Sequence, residues 1–176
     1  YTFRKSIMIV VAKGAMEEYF SVLKLKPYKA YTLYTFVDIN RFNVQGIPVE
    51  KREGVFSLVS TGALRLQKNY MYLVNAMALI KDKNIELDIY GIGNMKDELQ
   101  KQIELTGAKV NLKGEVKNIE QVIPRYNLFV MASTFEGFSL SILEAMAMRM
   151  PLLVSENASF REQCEDNAWY FSLSDV

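Results

Sequence analysis

The chain has 176 residues, half of them hydrophobic and 23% charged, a composition that supports one folded domain with a sizeable core and excludes a disordered chain. Lys plus Arg is 21 against 20 for Asp plus Glu, so the net charge of +1 gives no basis for nucleic-acid binding. There is no histidine, which removes the commonest general base and metal ligand and leaves carboxylates, cations and backbone for any chemistry.

A single cysteine, Cys164, cannot form an internal disulfide. This fits a reducing compartment, and Cys164 itself reads as a small buried apolar residue. No apolar run approaches the roughly 20 residues of a membrane helix, and the first residues carry no signal-peptide pattern. The expected location is therefore cytoplasmic, with peripheral attachment to the inner face of the membrane left open. The chain opens at Tyr1 in what reads as mid-fold and stops at Asp175-Val176, where a helix is expected, so the expectation is a fragment.

In chain order, Ser6 to Val11 reads as a strand, and Gly14 to Leu25 as an amphipathic helix with Met16, Tyr19, Phe20 and Leu23 on one side. Tyr31 to Tyr34 is a short second strand. Gly46 to Gly54, with Pro48, is a linker in which Lys51 and Arg52 are solvated. From there strands and helices alternate. Val55 to Ser60 is a strand, Asn69 to Ile80 a helix packing Met71, Val74, Met77 and Ala78, Ile85 to Tyr90 a strand, and Met95 to Leu105 a helix. Lys109 to Leu112 is a strand, Ile119 to Tyr126 a short helix, and Leu128 to Met131 a buried strand. Next comes a helix with Phe138, Ile142, Ala145, Met146 and Met150 on one face, stopped by Pro151. Leu152 to Val154 and Trp169 to Phe171 are strands flanking a helix at Ser159 to Cys164. This alternation predicts an α/β fold, a Rossmann-like parallel sheet with helices on both faces, whose ligands bind beyond the carboxyl ends of the strands.

The candidate chemistry lies at those ends. Between the strand ending at Met131 and the following helix stand Glu136 and Gly137, with Glu144 eight residues after Glu136. The first amides of a helix lack partners and its dipole favours an anion there. Such amides beside two carboxylates suit a ligand with both phosphates and hydroxyls, such as a sugar nucleotide. The plainer alternative is that Glu136 caps the helix and Glu144 is solvated. Thr61-Gly62-Ala63-Leu64-Arg65-Leu66-Gln67-Lys68-Asn69 is a glycine-containing turn that delivers a lysine, apt for a departing diphosphate or simply a surface lysine. Gly91-Ile92-Gly93 closes the next strand; a dinucleotide fingerprint needs a third glycine, which is absent, and a tight turn is the plain alternative. Gly114-Glu115-Val116 reads as a turn, and Glu162 is assigned no role.

The run Ala132-Ser133-x-x-Glu136-Gly137-Phe138-x-Leu140-x-x-Leu143-Glu144-Ala145-Met146-Ala147, followed by Pro151, closely resembles the signature of glycosyltransferase family 4, retaining enzymes of the GT-B fold. Gly62 to Asn69 resembles the family's Gly-Arg-Leu-x-x-x-Lys-Asn, with Lys68 on the lysine and Ala63 where the family has arginine. Thr35 to Phe42 resembles its Asn-Gly-Val-Asp-x-x-x-Phe segment, with Thr35-Phe36 replacing Asn-Gly. The resemblance implies residues 1–47 as the tail of an acceptor-binding domain plus linker, and 48–176 as a truncated nucleotide-sugar donor domain. It implies catalytic roles for Glu136, toward the sugar, and Lys68, toward the diphosphate. Donor binding would fall to Gly62, Arg65, Gly91, Gly93, Gly137, Phe138, Ser139 and Leu140, and Glu144 would hold the ribose.

The implied activity is hexosyl transfer, with retention, from a UDP- or GDP-type sugar nucleotide to a glycan or lipid-linked acceptor in bacterial surface-polysaccharide synthesis. It uses no metal or cofactor, and the fragment without its first domain is inactive. Two alternatives stand. A non-catalytic sugar-nucleotide binding module is favoured by Ala63. A Rossmann oxidoreductase is disfavoured by the missing glycine and the lack of a catalytic His or Tyr-x-x-x-Lys.

Overall fold

The computed structural model describes residues 6–14, 20, 27–46 and 50–174. Strand β1 (Ile7–Val10) pairs in parallel with β2 (Lys29–Thr32) from Ile7 opposite Lys29 to Val10 opposite Thr32. β2 therefore begins two residues before the expected Tyr31 and ends two residues before Tyr34, where β1 runs out of partners. Most of the helix expected from Gly14 to Leu25, including Met16, Tyr19 and Leu23, lies outside the described residues, as does Pro48 of the linker.

The main body alternates as the sequence predicts. Its strands are β3 (Phe56–Thr61), β4 (Ile85–Tyr90), β5 (Val110–Gly114), β6 (Leu128–Met131), β7 (Leu152–Ser155) and β8 (Trp169–Phe171). Its helices are α1 (Tyr70–Leu79), α2 (Lys96–Thr106), α3 (Ile119–Val122), α4 (Leu140–Ala147) and α5 (Ala158–Cys164). The six strands form one parallel sheet in the order β5-β4-β3-β6-β7-β8. This is a doubly wound sheet whose order reverses between β3 and β6, the place where such sheets open a ligand crevice.

Both faces of the sheet are covered, so central strands such as β6 are apolar throughout, whereas edge strand β5 alternates. One core layer joins Val59, Phe129, Met131 and Val154 to Ile123, Ile142 and Phe160; the other joins Leu58, Val130, Leu87 and Ile89 to Leu73, Val74 and Leu99. Met71 and Ala78, expected in the core, are partly exposed, while Tyr70 and Leu73 are buried in their place. Cys164 is buried, and burial pushes its thiol up to about 11, as the reading of a structural cysteine requires. No helix among the described residues is long and apolar enough to cross a membrane.

Three local readings change. The helix expected over Ile119 to Tyr126 is an α-turn that tightens into a 3₁₀ turn at Ile123–Arg125, because Pro124 has no N–H to continue the α ladder. Helix α4 ends before Pro151: Arg149 adopts φ 54, its N–H donates to Met146 O and that of Met150 to Ala145 O, a Schellman closure built without glycine. Phe138 precedes that helix and lies against Tyr34, with ring centroids 5.2 Å apart.

The third change concerns Arg52, expected in solvent. It donates to Asp88 Oδ2 at 2.5 Å and to Glu86 at 2.9 Å. Asp88 has no exposed surface, and it also accepts from Tyr126 at 2.6 Å and Asn111 at 2.7 Å. Burial alone would raise the Asp88 carboxyl; the bonds from Tyr126, Asn111 and Arg52 outweigh it and hold the group below the usual carboxylate range. The segment before the linker is tied down as well: Phe42 is buried in the first core layer, and Arg41 pairs with Glu120 at 3.0 Å.

Removing Arg52 leaves the buried carboxylate with only the more distant Lys113, 3.7 Å from Oδ2, as its cation. Arg52→Ala is expected to cost about 3 kcal/mol at neutral pH. A folded-state value below the unfolded one stabilises above the unfolded carboxylate range and is lost as pH falls through the folded value, so the penalty should shrink in acid. Urea unfolding at neutral and acid pH checks both.

Candidate active site

The loops at the carboxyl edge are held backbone against backbone. Gly62 N–H donates to Tyr90 O, Leu64 N–H to Ile92 O, and Gly91 N–H to Gly114 O. The approach is so close that a Cβ on Gly91, whose φ is 147, would stand 1.9 Å from Gly62 O, and one on Gly93 would stand 2.3 Å from Leu64 O. Both positions need glycine.

These loops and the start of α4 enclose a cavity of about 280 Å³. Gly62, Ala63 and Gly91 supply backbone walls; Tyr90, Ile92, Val116 and Ile119 supply apolar surface; Glu144, Ser141 and Glu115 supply polar groups. Among the described residues, no Lys or Arg lines it. Thr61, 6% exposed, also borders it, and its hydroxyl has no hydrogen-bond partner among the described residues. Burial raises the Glu144 carboxyl above its usual range, with Arg41 opposing and Glu120 reinforcing the shift.

At the reversal of strand order, Lys68 Nζ lies 2.7 Å from Glu136 Oε1, and Ser133 Oγ donates to the same oxygen at 2.8 Å. The two loops that carry this pair are joined: Thr134 N–H donates to Gln67 O at 2.9 Å and Gln67 Nε2 to Phe135 O at 2.8 Å. Gly62 makes room for the lysine, since a Cβ there would lie 3.2 Å from Lys68 Cε and 3.1 Å from the Tyr70 hydroxyl.

Of the residues singled out in the sequence, Gly62, Gly91 and Glu144 line the cavity, and Lys68 and Glu136 pair. Gly93 serves loop packing against Leu64. Arg65 borders a separate small pocket with Asn69, Tyr70 and Met95 and does not line the cavity. Gly137 faces Val11, Phe138 faces Tyr34, and Leu140 is half exposed at the start of α4. The amide of Ser139, expected to be free for a ligand, donates to Gln163 at 3.0 Å. The amides of Leu140 and Ser141 stand at the helix start, where the helix supplies no acceptor. Sequence reading misses Thr61, Ser141, Gln67 and the two α5 side chains Ser159 and Gln163. None of these belongs to a spacing pattern, and only the fold brings them to the site.

The arrangement thus defines a class: a doubly wound α/β domain with a cavity at the carboxyl ends of its strands, bordered by Glu144 and the start of α4, and a Lys–Glu ion pair on neighbouring loops. The family follows from comparison. Residues 56–175 match the model of the glycosyl transferases group 1 family, and the chain belongs to it. It is 36% identical over 110 residues to the GtfA subunit of the UDP-N-acetylglucosamine–peptide N-acetylglucosaminyltransferase of Streptococcus gordonii, covering 60% of this chain and 21% of that protein. It is 28% identical over 159 residues, 89% of this chain and 43% of the relative, to the N-acetylgalactosamine-N,N'-diacetylbacillosaminyl-diphospho-undecaprenol 4-alpha-N-acetylgalactosaminyltransferase of Campylobacter jejuni. The fold matches GT-B glycosyltransferases: Anabaena Alr3699/HepE in complex with UDP-glucose superposes with a TM-score of 0.81 at 20% identity, over 95% of this chain and 50% of that one. The chain thus spans less than half the length of these curated relatives and half of that structure.

Because Glu144 lies higher in the folded state than in the unfolded one, its ionised form costs stability. The contribution is favourable below the unfolded carboxylate range and is lost as pH rises through the folded value. Glu144→Gln is therefore expected to melt higher than the wild-type chain at pH 8, with the difference disappearing in acid; thermal denaturation at the two pH values reads it.

Proposed function

We propose that this chain is the donor-binding half of a retaining family 4 glycosyltransferase that moves a hexose from a UDP- or GDP-type sugar nucleotide to a glycan or lipid-linked acceptor. The observation that carries the reading is the Lys68–Glu136 pair at 2.7 Å, set where strand order reverses and beside a cavity bordered by Glu144. The cavity, free of cations and partly apolar, suits a nucleoside, with the Glu144 carboxylate accepting from ribose hydroxyls. A diphosphate at its mouth meets the start of α4 and Lys68, which take up negative charge as the glycosidic bond breaks. Glu136 then orients or polarises the sugar. With leaving group and acceptor hydroxyl on one face, transfer proceeds with retention. Cation and helix start take the charge-neutralising part, so the reaction as proposed needs no metal or cofactor.

The UDP in the names of the Streptococcus relative and the Anabaena complex favours the UDP type. The diphospho-undecaprenol acceptor of the Campylobacter relative favours a lipid-linked acceptor, and bacterial surface-polysaccharide synthesis is the proposed setting. Residues 1–47 belong in this reading to the acceptor-binding domain, and the exposed row of Ile7, Ile9 and Tyr31 on β1 and β2 is where the rest of that domain would pack. A non-catalytic sugar-nucleotide module remains the second reading, favoured by one observation: Ala63 lines the cavity where the family carries arginine.

Calorimetric titration with UDP, GDP, ADP and NAD tests the donor site. One nucleoside diphosphate should bind, and Glu144→Ala should abolish it; preference for NAD would overturn the assignment. In the longer enzyme, Lys68→Ala should lower kcat by about 10²-fold, the usual scale for one lost electrostatic contact to a transition state. Transfer abolished by Glu136→Ala would reject the non-catalytic reading.

A further inference from the structure

Helix α5 reaches the turn between β6 and α4 through two side chains to which the mechanism above gives no part. Gln163 is 8% exposed, and both ends of its carboxamide engage one residue: Ser139 N–H donates to Oε1 at 3.0 Å, and Nε2 donates to Ser139 O at 2.8 Å. One turn earlier, Ser159 Oγ donates to the carbonyl of Glu136. The turn from Glu136 to Ser139 is thus pinned at both ends by one helix.

We propose that Gln163, with Ser159 as its second anchor, is a positioning residue for the phosphate-binding turn; the inference rests on the donor-site reading above. Ser139 is the N-cap of α4, so the orientation of its peptide groups sets the direction of the Leu140 and Ser141 amides that follow. Its N–H and C=O are buried, and neither is taken up by a neighbouring strand. A planar carboxamide presents one donor and one acceptor side by side and satisfies both, as a strand partner would. The Ser139 carbonyl also accepts the Leu143 N–H at 3.2 Å, so an apolar side chain of the same length leaves the Ser139 N–H as the group without a partner, and the turn must then rearrange to hydrate it. At the other end the Ser159 bond fixes the carbonyl of the residue whose side chain pairs with Lys68. Neither α5 side chain borders the nucleoside cavity. Their effect should therefore fall on the phosphates and spare the nucleoside.

That division makes the test. The wild-type chain, Gln163→Met and Ser159→Ala are titrated with UDP and GDP, and then with the nucleoside of whichever binds better, by NMR. Both variants should bind the diphosphate about tenfold more weakly while the nucleoside affinity stays within about twofold. Equal losses for diphosphate and nucleoside would reveal only general loosening and overturn the proposal, as would no loss at all. Should Gln163→Met fail to fold, the same split or its absence in Ser159→Ala decides the matter. A wild-type chain that binds neither nucleotide sinks the donor-site reading and this inference with it; a wild-type chain that binds, with variants showing no split, sinks the inference alone.

Discussion

Everything at the carboxyl edge depends on how closely the loops after β3, β4 and β5 approach one another. They extend the sheet past its last strand residues by three backbone hydrogen bonds, and a side chain at Gly91 or Gly93 would collide with the main chain of the neighbouring loop. The part of the cavity wall that Gly62, Ala63 and Gly91 supply is therefore main chain, which has few alternative positions. Rigid walls of this kind let a small number of polar side chains set ligand orientation.

The second constraint is charge. Lys68 and Glu136 are each mostly removed from solvent, and neither is stranded, because each has the other and the carboxylate has Ser133 besides. An ion pair in such a place gains little stability over the cost of desolvating its members, which agrees with a functional rather than a structural reason for its presence. The Asp88 network is the contrasting case. Its carboxylate is fully buried, surrounded by Tyr126, Asn111 and Arg52, and turned into the fold, where it ties the linker to β4. Asp88 is wholly removed from water, whereas Glu136 keeps some exposure at the carboxyl edge of the sheet.

The order of elements was legible because a sheet covered on both faces writes apolar strands such as Leu128 to Met131 between amphipathic helices, and these periodicities survive in a single sequence. Lys68, Glu136 and Glu144 were singled out because their segments resemble a family signature, and the structure sets Lys68 against Glu136 and Glu144 on the cavity. What was not legible lies across the chain. The Arg52–Asp88 pair joins residues 36 apart, and the Gln163 clamp spans 24, with no local pattern marking either. Helix ends were misread where the stop is geometric: Arg149 terminates α4 in a left-handed conformation that its side chain does not advertise, while the more conspicuous Pro151 comes two residues too late. Arg65 shows the reverse error, since nearness to Lys68 in sequence does not bring it to the cavity that Gly62 lines.

The reversal of strand order also divides the site by inheritance. Most of the cavity wall comes from the chain before Tyr126, whereas Glu136, Ser141 and Glu144 come after it, and the described polar ties between the two loop sets run through Gln67 and Lys68. A recombination junction in the crossover ahead of β6 therefore cuts few functional contacts. On the donor-site reading proposed above, related chains exchange the block that carries the cavity wall while keeping the turn that carries Glu136, and donor choice diversifies by a single exchange at that seam.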